Sequence, residues 1–570
     1  MNNPLEMWGG VECSHVRTHE AVRNQLDETG HVNRIEDLDL IAGLGIRTLR
    51  YPVLWEMVEH TSGSYDWNWV DKRLLHISEL GMRPIAGLMH HGSGPTWTQI
   101  LDPDFPEMLA QYAGRVAQRY PWIELYTPIN EPLTTARISG LYGLWYPHST
   151  DEATCLQLTV AQCRAIALAM KAIHKHVPSA RLVQTEDVGR VFATRRLAYQ
   201  ADHENQRRWL ALDLLAGRVD GRHSFYRRLL DAGIDGRHLS ALVEEPCVPD
   251  VIGIDYYLTS DRMLDDKIDR YPDEQIGGNG IDRYVDIAAV RSNCQDDSGL
   301  EQRINELWNR YHLPIAVTEL HNGSTRDEQV RWLVDGWNAA QAARDSGVDI
   351  CAVTAWSLFG AVDWNSMLQK QDGFYENGAF DIRAGVPRPT AVAYAITDLA
   401  KHGSTDHPIL DRPGWWREES AYENGGRPLL LVGFGRLISI IEERCSLRRL
   451  TVCAARPDNI QPLLAKHGAW AAIGVEEGHP ARSGSSAAPV KISCRYPDGG
   501  DLLLQSDYTR SPIEVANAVL DLIIDDQRGA FELLHYGPGN QYELVPLPDV
   551  NSDGHSRKIA RNVGFLCQAR

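Results

Sequence analysis

The chain has 570 residues, of which 43% are apolar and 23% are charged; the composition is globular, and the length predicts two or three domains. Its formal net charge of −19 and isoelectric point near 5.5 argue against nucleic acid or an anionic membrane as a partner. We find no run of about 18 consecutive apolar residues and no signal-peptide pattern, so no membrane segment is expected. The ten cysteines are scattered, without a CxxC pair, which predicts free thiols, a cytoplasmic protein and no metal site.

From residue 4 to about residue 402, short apolar runs alternate with longer segments of helical periodicity. The runs, which predict buried strands, are residues 5–11, 46–52, 83–90, 123–129, 181–186, 251–257, 313–319 and 351–357. The helical segments are residues 33–44, 67–80, 105–119, 153–176, 300–311, 328–346 and 389–401. Nearly continuous apolar strands indicate burial on both faces, as in a parallel sheet. A doubly wound sheet would alternate in the same way, but eight regular units with polar strand ends favour a (β/α)8 barrel over residues 1–402.

The largest insertion in this pattern is residues 188–250, between the fifth and sixth strands. It is rich in arginine, and its periodicity predicts helices at 206–215 and 223–232. After the barrel, residues 403–427 are rich in Gly, Pro, Asp and Glu, which predicts a linker.

A second, smaller unit is predicted over residues 428–570. Its first apolar run, residues 428–435, leads into a glycine turn and a helix, and further strands are indicated at 450–454 and 501–505. Residues 511–525 have the periodicity of an amphipathic helix. The predicted fold class is α/β: a (β/α)8 TIM barrel followed by a smaller Rossmann-like domain.

The fourth apolar run ends in Asn130-Glu131-Pro132. Such residues at a strand's C-terminal end are typical of a barrel active site, although the same triplet can also begin a helix. The other strand ends carry, in chain order, Trp8 and Glu12, Arg50, His90 with His91, Glu186 with Asp187, Asp255 with Tyr256 and Tyr257, Glu319 with His321, and Trp356. Each of these could be structural by itself, as an ion pair, a core histidine or a packed indole. Their convergence at one mouth favours a functional site.

Glu131 ends the fourth strand and Glu319 ends the seventh, so the two carboxylates are expected to face each other across the mouth. Glycoside cleavage requires such a pair, because one carboxyl protonates the leaving oxygen while the other attacks the anomeric carbon, about 5 Å away when configuration is retained. Asn130 can bind a sugar hydroxyl. Arg50 can keep Glu319 ionised, and Tyr257 can orient it. Apolar surroundings would raise the pKa of Glu131, so that it starts protonated.

The barrel resembles the family 1 β-glycosidases, which are retaining (β/α)8 enzymes. The matching motifs, in the family's order, are Trp8-Gly9, Arg50-Tyr51-Pro52 with Trp55, Leu88-Met-His90, Thr127-Pro-Ile-Asn130-Glu131-Pro132, Gly253-Ile-Asp-Tyr-Tyr257, Val317-Thr-Glu319, Ala355-Trp356-Ser357-Leu358, Asp363-Trp364 and Gly378-Ala-Phe-Asp381. The resemblance implies that Glu131 is the acid/base and Glu319 the nucleophile. It implies that the sugar is bound by His90, Asn130 and Trp356, with Glu12, Arg50, Tyr257, Asp363 and Trp364 completing the substrate site.

Several positions depart from the family pattern. His321 replaces the glycine two residues after the nucleophile, and Asp255 replaces the asparagine before the paired tyrosines. The glycone-binding glutamate corresponds at best to Asp363, and the glutamine near the first strand is absent, with Glu12 or His15 as a substitute. These changes affect the residues that select the sugar, whereas the catalytic pair is intact.

The second unit is similar to nucleotide-sugar reductases of the short-chain dehydrogenase type, in particular the dTDP-4-dehydrorhamnose reductases. The similarity rests on residues 428–435 and 511–523. The third glycine of the dinucleotide fingerprint is replaced, and the unit has no Tyr-x-x-x-Lys pair. We therefore expect a degenerate domain that binds no cofactor productively and serves packing or assembly.

The sequence thus predicts a retaining exo-β-glycosidase that hydrolyses a small glycoside or oligosaccharide without a cofactor. Two alternatives stay open. One is a sugar-nucleotide-related bifunctional protein with a dinucleotide-binding C-terminal domain, and the other is a non-catalytic carbohydrate-binding protein. A homo-oligomer is compatible with each of them.

Overall fold

In a computed structural model the chain forms two compact units, Met1–Arg412 and Pro413–Arg570. The structure describes residues 4–417 apart from 272–274, 292–296 and 325. Beyond these it describes residues 428–433, 435–447, 450, 452–455, 460–477, 490–495, 501–506, 515–516, 519–520, 523, 531–535, 542–546 and 566–567.

Eight parallel strands of the first unit close into a barrel. In chain order they are β1 (Glu6–Gly10), β2 (Thr48–Pro52), β3 (Arg83–Gly87), β4 (Leu125–Thr127), β5 (Arg181–Glu186), β6 (Val251–Tyr257), β7 (Ile315–His321) and β8 (Ile350–Ala355). Each strand pairs with the next along the chain, and β8 pairs with β1, where Gly9 lies beside Ala355. The eight predicted strands are confirmed, and the doubly wound alternative is wrong because its sheet would be open.

Helices connect the barrel strands, and each of the predicted helical segments overlaps an observed one. The α-helices of the first unit are Gln25–Glu28, Asp37–Gly43, Trp55–Val58, Asn68–Glu79, Phe105–Arg119, Pro132–Ala136, Glu152–His174, Ala198–Arg207, Leu210–Leu215, Tyr226–Asp231, Gly236–Glu244, Leu300–Tyr311, Arg326–Asp345 and Ala391–His402. A π-helical turn, Arg137–Leu141, follows the helix Pro132–Ala136.

The longest helix, Glu152–His174, begins at Asp151, whose carboxylate accepts the N–H of Thr154 at 2.8 Å. Its length and composition would allow it to cross a membrane, although it contains no run of about 18 consecutive apolar residues. In the structure 61% of its most apolar window is buried, and it packs against the helix Phe105–Arg119. Packing within the first unit therefore accounts for its hydrophobicity.

The two ends of the barrel interior differ in polarity. An apolar cluster contains side chains from Trp8, Ile85, Val183, Val251, Ala316 and Ala352. Arg50, Thr185, Asp255 and Glu319 lie further towards the C-terminal ends of their strands and are buried as well. Buried polar groups need partners, so the C-terminal end is where a hydrogen-bonded site is found.

A four-stranded sheet lies outside the barrel, in the connections that follow β5 and β6. Its strands, in spatial order, are Ile276–Gly278, Arg283–Ala288, Arg262–Asp265 and Val191–Ala193. The sequence predicted only helices in the first of these connections. A three-residue strand carries little periodicity, and here its partner belongs to a different connection.

Part of the predicted linker is bonded to the first unit. The indole of Trp337 donates to the carbonyl of Gly403 at 2.9 Å, and Arg331 donates to that of Ile409 at 3.0 Å. Both donors lie on the helix Arg326–Asp345. The division between the units accordingly falls at Arg412, inside the predicted linker.

In the second unit the described strands form a mixed sheet in the order Val452–Ala455, Leu429–Val432, Ala471–Glu477, Val490–Arg495, Asp501–Ser506 and Leu566–Cys567. The first three are parallel and are connected through the helices Arg436–Leu447 and Ile460–His467. A separate hairpin pairs Phe531–His535 with Tyr542–Pro546. The predicted helix at 511–525 lies mostly outside the described residues, and the Rossmann-like assignment stays a prediction.

Candidate active site

The segment after β4 begins the helix Pro132–Ala136. Glu131 occupies the N-cap position with a left-handed backbone, φ 44°, but its side chain does not cap the helix. Instead, the carboxylate of Glu186 accepts the N–H groups of Leu133 at 2.7 Å and Thr134 at 3.0 Å. The predicted helix start is therefore present, and the Glu131 side chain is left available at the barrel mouth.

Glu319, near the end of β7, has its carboxylate held by two donors. Arg50 Nη1 donates to Oε1 at 2.9 Å, and the hydroxyl of Tyr257 donates a short hydrogen bond to Oε2. The same guanidinium donates to Asn130 Oδ1 at 2.6 Å. The contacts of Glu319 with Arg50 and Tyr257 that the sequence predicted are therefore present, and they connect the ends of β2, β6 and β7.

Asp255, on β6, completes a group of three carboxyls with Glu131 and Glu319. One oxygen of each lies within 4.8 Å of the other two, and the residues are 0%, 4% and 2% exposed, respectively. Arg50 supplies the neighbouring positive charge, 2.9 Å from Glu319 and 3.9 Å from Asp255. A single guanidinium does not compensate three buried carboxylates, so the group retains protons near neutral pH.

Burial raises the pKa of Glu131 well above its ordinary value, and the charges of Asp255 and Glu319 raise it further. Burial and Asp255 also raise the pKa of Glu319 to about 8, while Arg50 and Tyr257 act in the opposite direction. Arg50 therefore has the sign that the sequence predicted, but burial outweighs it. Among the residues that the structure describes, no lysine or arginine pairs with Glu131, so it is the carboxyl suited to carry a proton.

An aromatic wall borders the carboxyls. The ring of His90 stacks on that of Trp356 at 5.5 Å, and the Arg50 guanidinium lies 4.9 Å from the same indole. Gly10 makes this possible, because a Cβ there would lie 2.3 Å from Trp356 Cε3. Burial holds the pKa of His90 well below its usual value, so the ring is neutral and able to hydrogen-bond a sugar hydroxyl.

His91 lies at the site, although the sequence places it only among the strand-end residues and does not predict a role for it. Its Nε2 lies 3.5 Å from Glu131 Oε2, and its Nδ1 bonds to the hydroxyl of Thr135 at 2.9 Å. Burial lowers the pKa of His91 to about 3, so the ring is neutral beside the acid. A left-handed backbone, φ 54°, turns the side chain towards the mouth, and simple strand alternation would not have predicted that direction.

Of the remaining predicted substrate residues, Glu12 and Trp364 lie at the site. Glu12 accepts the N–H and hydroxyl of Ser14 at 2.9 and 2.6 Å, and burial together with Glu319 raises its pKa to about 7. Trp364 packs edge-on against His91 at 5.6 Å and Trp145 at 5.9 Å.

Asp363 has a mainly structural environment. Its carboxylate accepts the N–H of Phe374 at 2.8 Å and is paired with Arg23 at 3.0 Å. Its hydrogen bonds therefore hold the loop after β8, and a contact with the sugar stays a prediction.

Two strand-end residues lie away from the mouth. The prediction that Trp8 lies at the barrel mouth is wrong. Its side chain packs in the apolar cluster with Ile85 and Val183, and its indole donates to Glu6 at 2.9 Å. His321 donates from Nδ1 to the carbonyl of Trp356 at 2.9 Å, so it supports the aromatic wall from behind.

The chain's relationships agree with this geometry. The sequence profile described as glycosyl hydrolase family 1 matches residues 15–381, well over half of the chain. This chain belongs to glycosyl hydrolase family 1. It is a glycoside hydrolase that acts on O-glycosyl bonds.

Relatives in this family include a 6-phospho-beta-glucosidase of Dickeya chrysanthemi, which is 23% identical over 427 residues, or 65% of this chain and 85% of the relative. A phospho-cellobiase of Klebsiella oxytoca is 22% identical over 374 residues, or 60% of this chain and 78% of the relative. The structure of a family 1 β-glucosidase from Thermotoga maritima aligns with a TM-score of 0.56 and 15% identity, covering 71% of this chain and 100% of that chain. This last likeness shows the barrel fold.

Proposed function

We propose that this family 1 glycoside hydrolase is a retaining exo-β-glycosidase acting on a small glycoside or oligosaccharide. Glu131 is the acid/base and Glu319 the nucleophile. The observation that carries the proposal is the carboxyl pair: one oxygen of Glu131 lies within 4.8 Å of one oxygen of Glu319, which suits the separation of about 5–5.5 Å between the carboxyl groups of retaining enzymes. An inverting enzyme needs about 6.5–9.5 Å between its carboxyls to admit a water molecule.

In the first step, protonated Glu131 gives its proton to the glycosidic oxygen as the bond to the anomeric carbon breaks. The Glu319 carboxylate attacks that carbon and forms a glycosyl ester. In the second step, the Glu131 carboxylate takes a proton from water, the water oxygen bonds to the anomeric carbon, and Glu319 leaves as a carboxylate. The enzyme thereby regains the protonated Glu131 and the Glu319 carboxylate, and the two products carry the proton and the hydroxyl of one water molecule.

Asn130 is positioned to bind the sugar beside these groups. Its Oδ1 accepts hydrogen bonds from Arg50 at 2.6 Å and from Thr185 at 2.7 Å. The amide nitrogen therefore faces the other way, 3.3 Å from His90 Nε2, and can donate to a hydroxyl. The flanking His90 and Trp356 are only 4% and 6% exposed, which supports a closed pocket for one terminal sugar.

The test is hydrolysis of 4-nitrophenyl β-glycosides and natural small glycosides by the full chain. Glu319→Gln and Glu131→Gln are each expected to reduce kcat by about 10²–10⁴-fold or more, since nucleophile and proton donor act in the same step. Glu56→Gln, another buried glutamate, which accepts the N–H of Gly94 at 3.1 Å, is the matched control. Proton NMR should show the β-anomer as the first product, and an α-anomer would overturn the retaining assignment.

The names of two relatives suggest a second candidate, a hydrolase of 6-phosphorylated β-glycosides. The residues around Asp363 disfavour it. Arg23, the cation beside Asp363, uses its five N–H groups on Glu28, Asp363 and the carbonyls of Leu368 and Lys370, so none is free for a phosphate. Comparing kcat/KM for a β-glucoside and its 6-phosphate decides between the two.

For the C-terminal unit we propose a reductase-like fold without productive dinucleotide binding. Gly433 and Gly435 have φ of 139° and 112° between the strand Leu429–Val432 and the helix Arg436–Leu447, which supports a βα turn of that type. Titration with NADH and NADPH is expected to leave the intrinsic fluorescence unchanged, and saturable quenching would favour the bifunctional alternative. Of the cysteines whose side chains the structure describes, eight form no disulfide, which supports a cytoplasmic location.

A further inference from the structure

Asp255 has an unusual hydrogen-bonding environment. Its side chain is fully buried, and Oδ1 accepts the hydroxyl of Thr318 at 2.6 Å and lies 3.9 Å from Arg50 Nη1. Oδ2 receives no N–H and no alcohol or phenol O–H from the residues that the structure describes. A buried carboxylate oxygen without a donor is costly, so its neighbour must provide one.

The carboxyl nearest to hand is Glu131, because one oxygen of Asp255 and one of Glu131 belong to the group that lies within 4.8 Å of one another. Burial raises the pKa of Asp255 to about 6, and a hydrogen bond from Glu131 would act in the opposite direction. Two carboxylates have no hydrogen to share, so such a contact requires that one of the two carries a proton.

The surroundings decide which carboxyl carries it. Asp255 has a hydroxyl donor in Thr318 and a guanidinium in Arg50, both of which favour its ionised form. Glu131, by comparison, has His91 Nε2 at 3.5 Å, and that ring is neutral. The proton therefore resides on Glu131, and the charge on Asp255.

We propose that Asp255 is a positioning residue for the reaction, whose Oδ2 accepts the carboxyl proton of Glu131 and keeps that proton in place until the leaving oxygen takes it. The inference rests on the proposed function, which makes Glu131 the acid/base. When the proton moves to the leaving oxygen, the hydrogen bond between the carboxyls breaks. The Asp255 anion then strengthens Glu131 as the base that takes a proton from water in the second step. The family pattern has an asparagine here, which would lack this charge.

Other ionisable groups also face the pair. Those near Glu131 are Glu319, Glu186, Asp187, His91 and Tyr257, and those near Asp255 are Arg50, Asp187, Glu319 and Tyr257. Glu186 is bonded to helix amides, and Asp187 to the N–H of Gly189 and the hydroxyl of Ser260. Both oxygens of Glu319 accept from Arg50 and Tyr257, so Asp255 is the carboxylate left to accept the Glu131 proton.

The test is Asp255→Asn in the full chain, a change that preserves shape and removes the charge. The descending alkaline limb of the kcat/KM profile, which reports loss of the Glu131 proton, is expected to move to lower pH by about one unit or more. The ascending limb should also move to lower pH, because Asp255 raises the pKa of Glu319 as well. Asp187→Asn removes the same charge from a carboxylate bonded elsewhere, and its shift should be smaller.

A second measurement needs no substrate. Infrared difference spectra of the full chain should show a protonated carboxyl band at neutral pH that is absent in Glu131→Gln and that titrates at lower pH in Asp255→Asn. An unchanged titration of this band, or a shift no larger than in Asp187→Asn, would overturn the role of Asp255. If Glu131→Gln hydrolyses glycosides normally, the proposed function fails instead, so the two failures are distinguishable.

Discussion

At the scale of single residues, burial disfavours the charged form of Glu319, whereas specific hydrogen-bond donors favour it. Glu319 is 2% exposed, and the hydrogen bonds from Arg50 and Tyr257 stabilise its anion against the cost of burial. These donors also fix the direction of the carboxylate, because each of its two oxygens accepts a hydrogen bond from a different donor. Charge and geometry are therefore set by the same two contacts.

Replacing Tyr257 by phenylalanine removes one of them. The pKa of Glu319 should rise further above about 8, and since Glu319 attacks as the anion, the ascending limb of the kcat/KM profile is expected to move to higher pH by about one to two units. The measurement is hydrolysis from acid to alkaline pH. Tyr256→Phe is the matched control, because that hydroxyl donates to Asp261 instead, at 3.3 Å. An ascending limb that does not move would show that Tyr257 leaves the charge on Glu319 unaffected.

At the scale of elements, the junction between β4 and the helix Pro132–Ala136 determines where the acid/base lies. Glu186, at the end of β5, binds the first amides of this helix. A carboxyl group at a helix N-terminus is favourable because its oxygens accept from N–H groups that have no partner within the helix. A neighbouring strand thereby performs the capping that Glu131 would otherwise perform.

Glu186→Gln is expected to lower stability by about 1–2 kcal/mol, the usual value of a helix cap, and to reduce kcat as Glu131 is drawn towards the unsatisfied amides. Thermal unfolding and steady-state kinetics measure the two effects. Asp151→Asn, which weakens the cap of the helix Glu152–His174, should affect stability without reducing kcat. A Glu186→Gln protein with full activity would show that Glu131 does not depend on this cap.

At the scale of the whole molecule, buried carboxyls make stability depend on pH. Burial raises the pKa of Glu12, Glu56 and Glu186 to about 7 and that of Glu319 to about 8. Each binds a proton in the folded chain at a pH where the unfolded chain has already lost it. Their stabilising effect is complete below the unfolded pKa and is lost as the pH rises through the folded one.

We therefore expect the unfolding free energy of the full chain to fall between about pH 6.5 and about pH 8.5, by up to about 1.4 kcal/mol per group and pH unit. The melting temperature should fall with it. Below this window the buried neutral histidines, such as His90 and His91, act in the opposite direction. Calorimetry at several pH values measures the slope. Glu56→Gln should reduce the slope without affecting hydrolysis, and a melting temperature that rises across the window would contradict the expectation.

Much of the barrel could be predicted from local sequence. Its strands are nearly continuous apolar runs, which are typical of a parallel sheet buried on both faces. Glu131 and Glu319 were recognisable because carboxylates are poor packing material at strand ends. The four-stranded sheet outside the barrel could not be predicted, because its short strands pair across two separate connections and no local sequence pattern indicates such pairing.

The sequence by itself determined the family, the barrel and the two carboxylates proposed to act on the sugar, because apolar runs and motif residues are local properties. Only the tertiary structure decided where side chains point. Trp8 turns into the apolar cluster and Glu186 towards a helix end, whereas one oxygen of Asp255 lies within 4.8 Å of one of Glu131. The physical reason is that the direction and protonation of a side chain depend on neighbours distant in the chain. Folding brings these neighbours together, and burial strengthens the interactions between their charges.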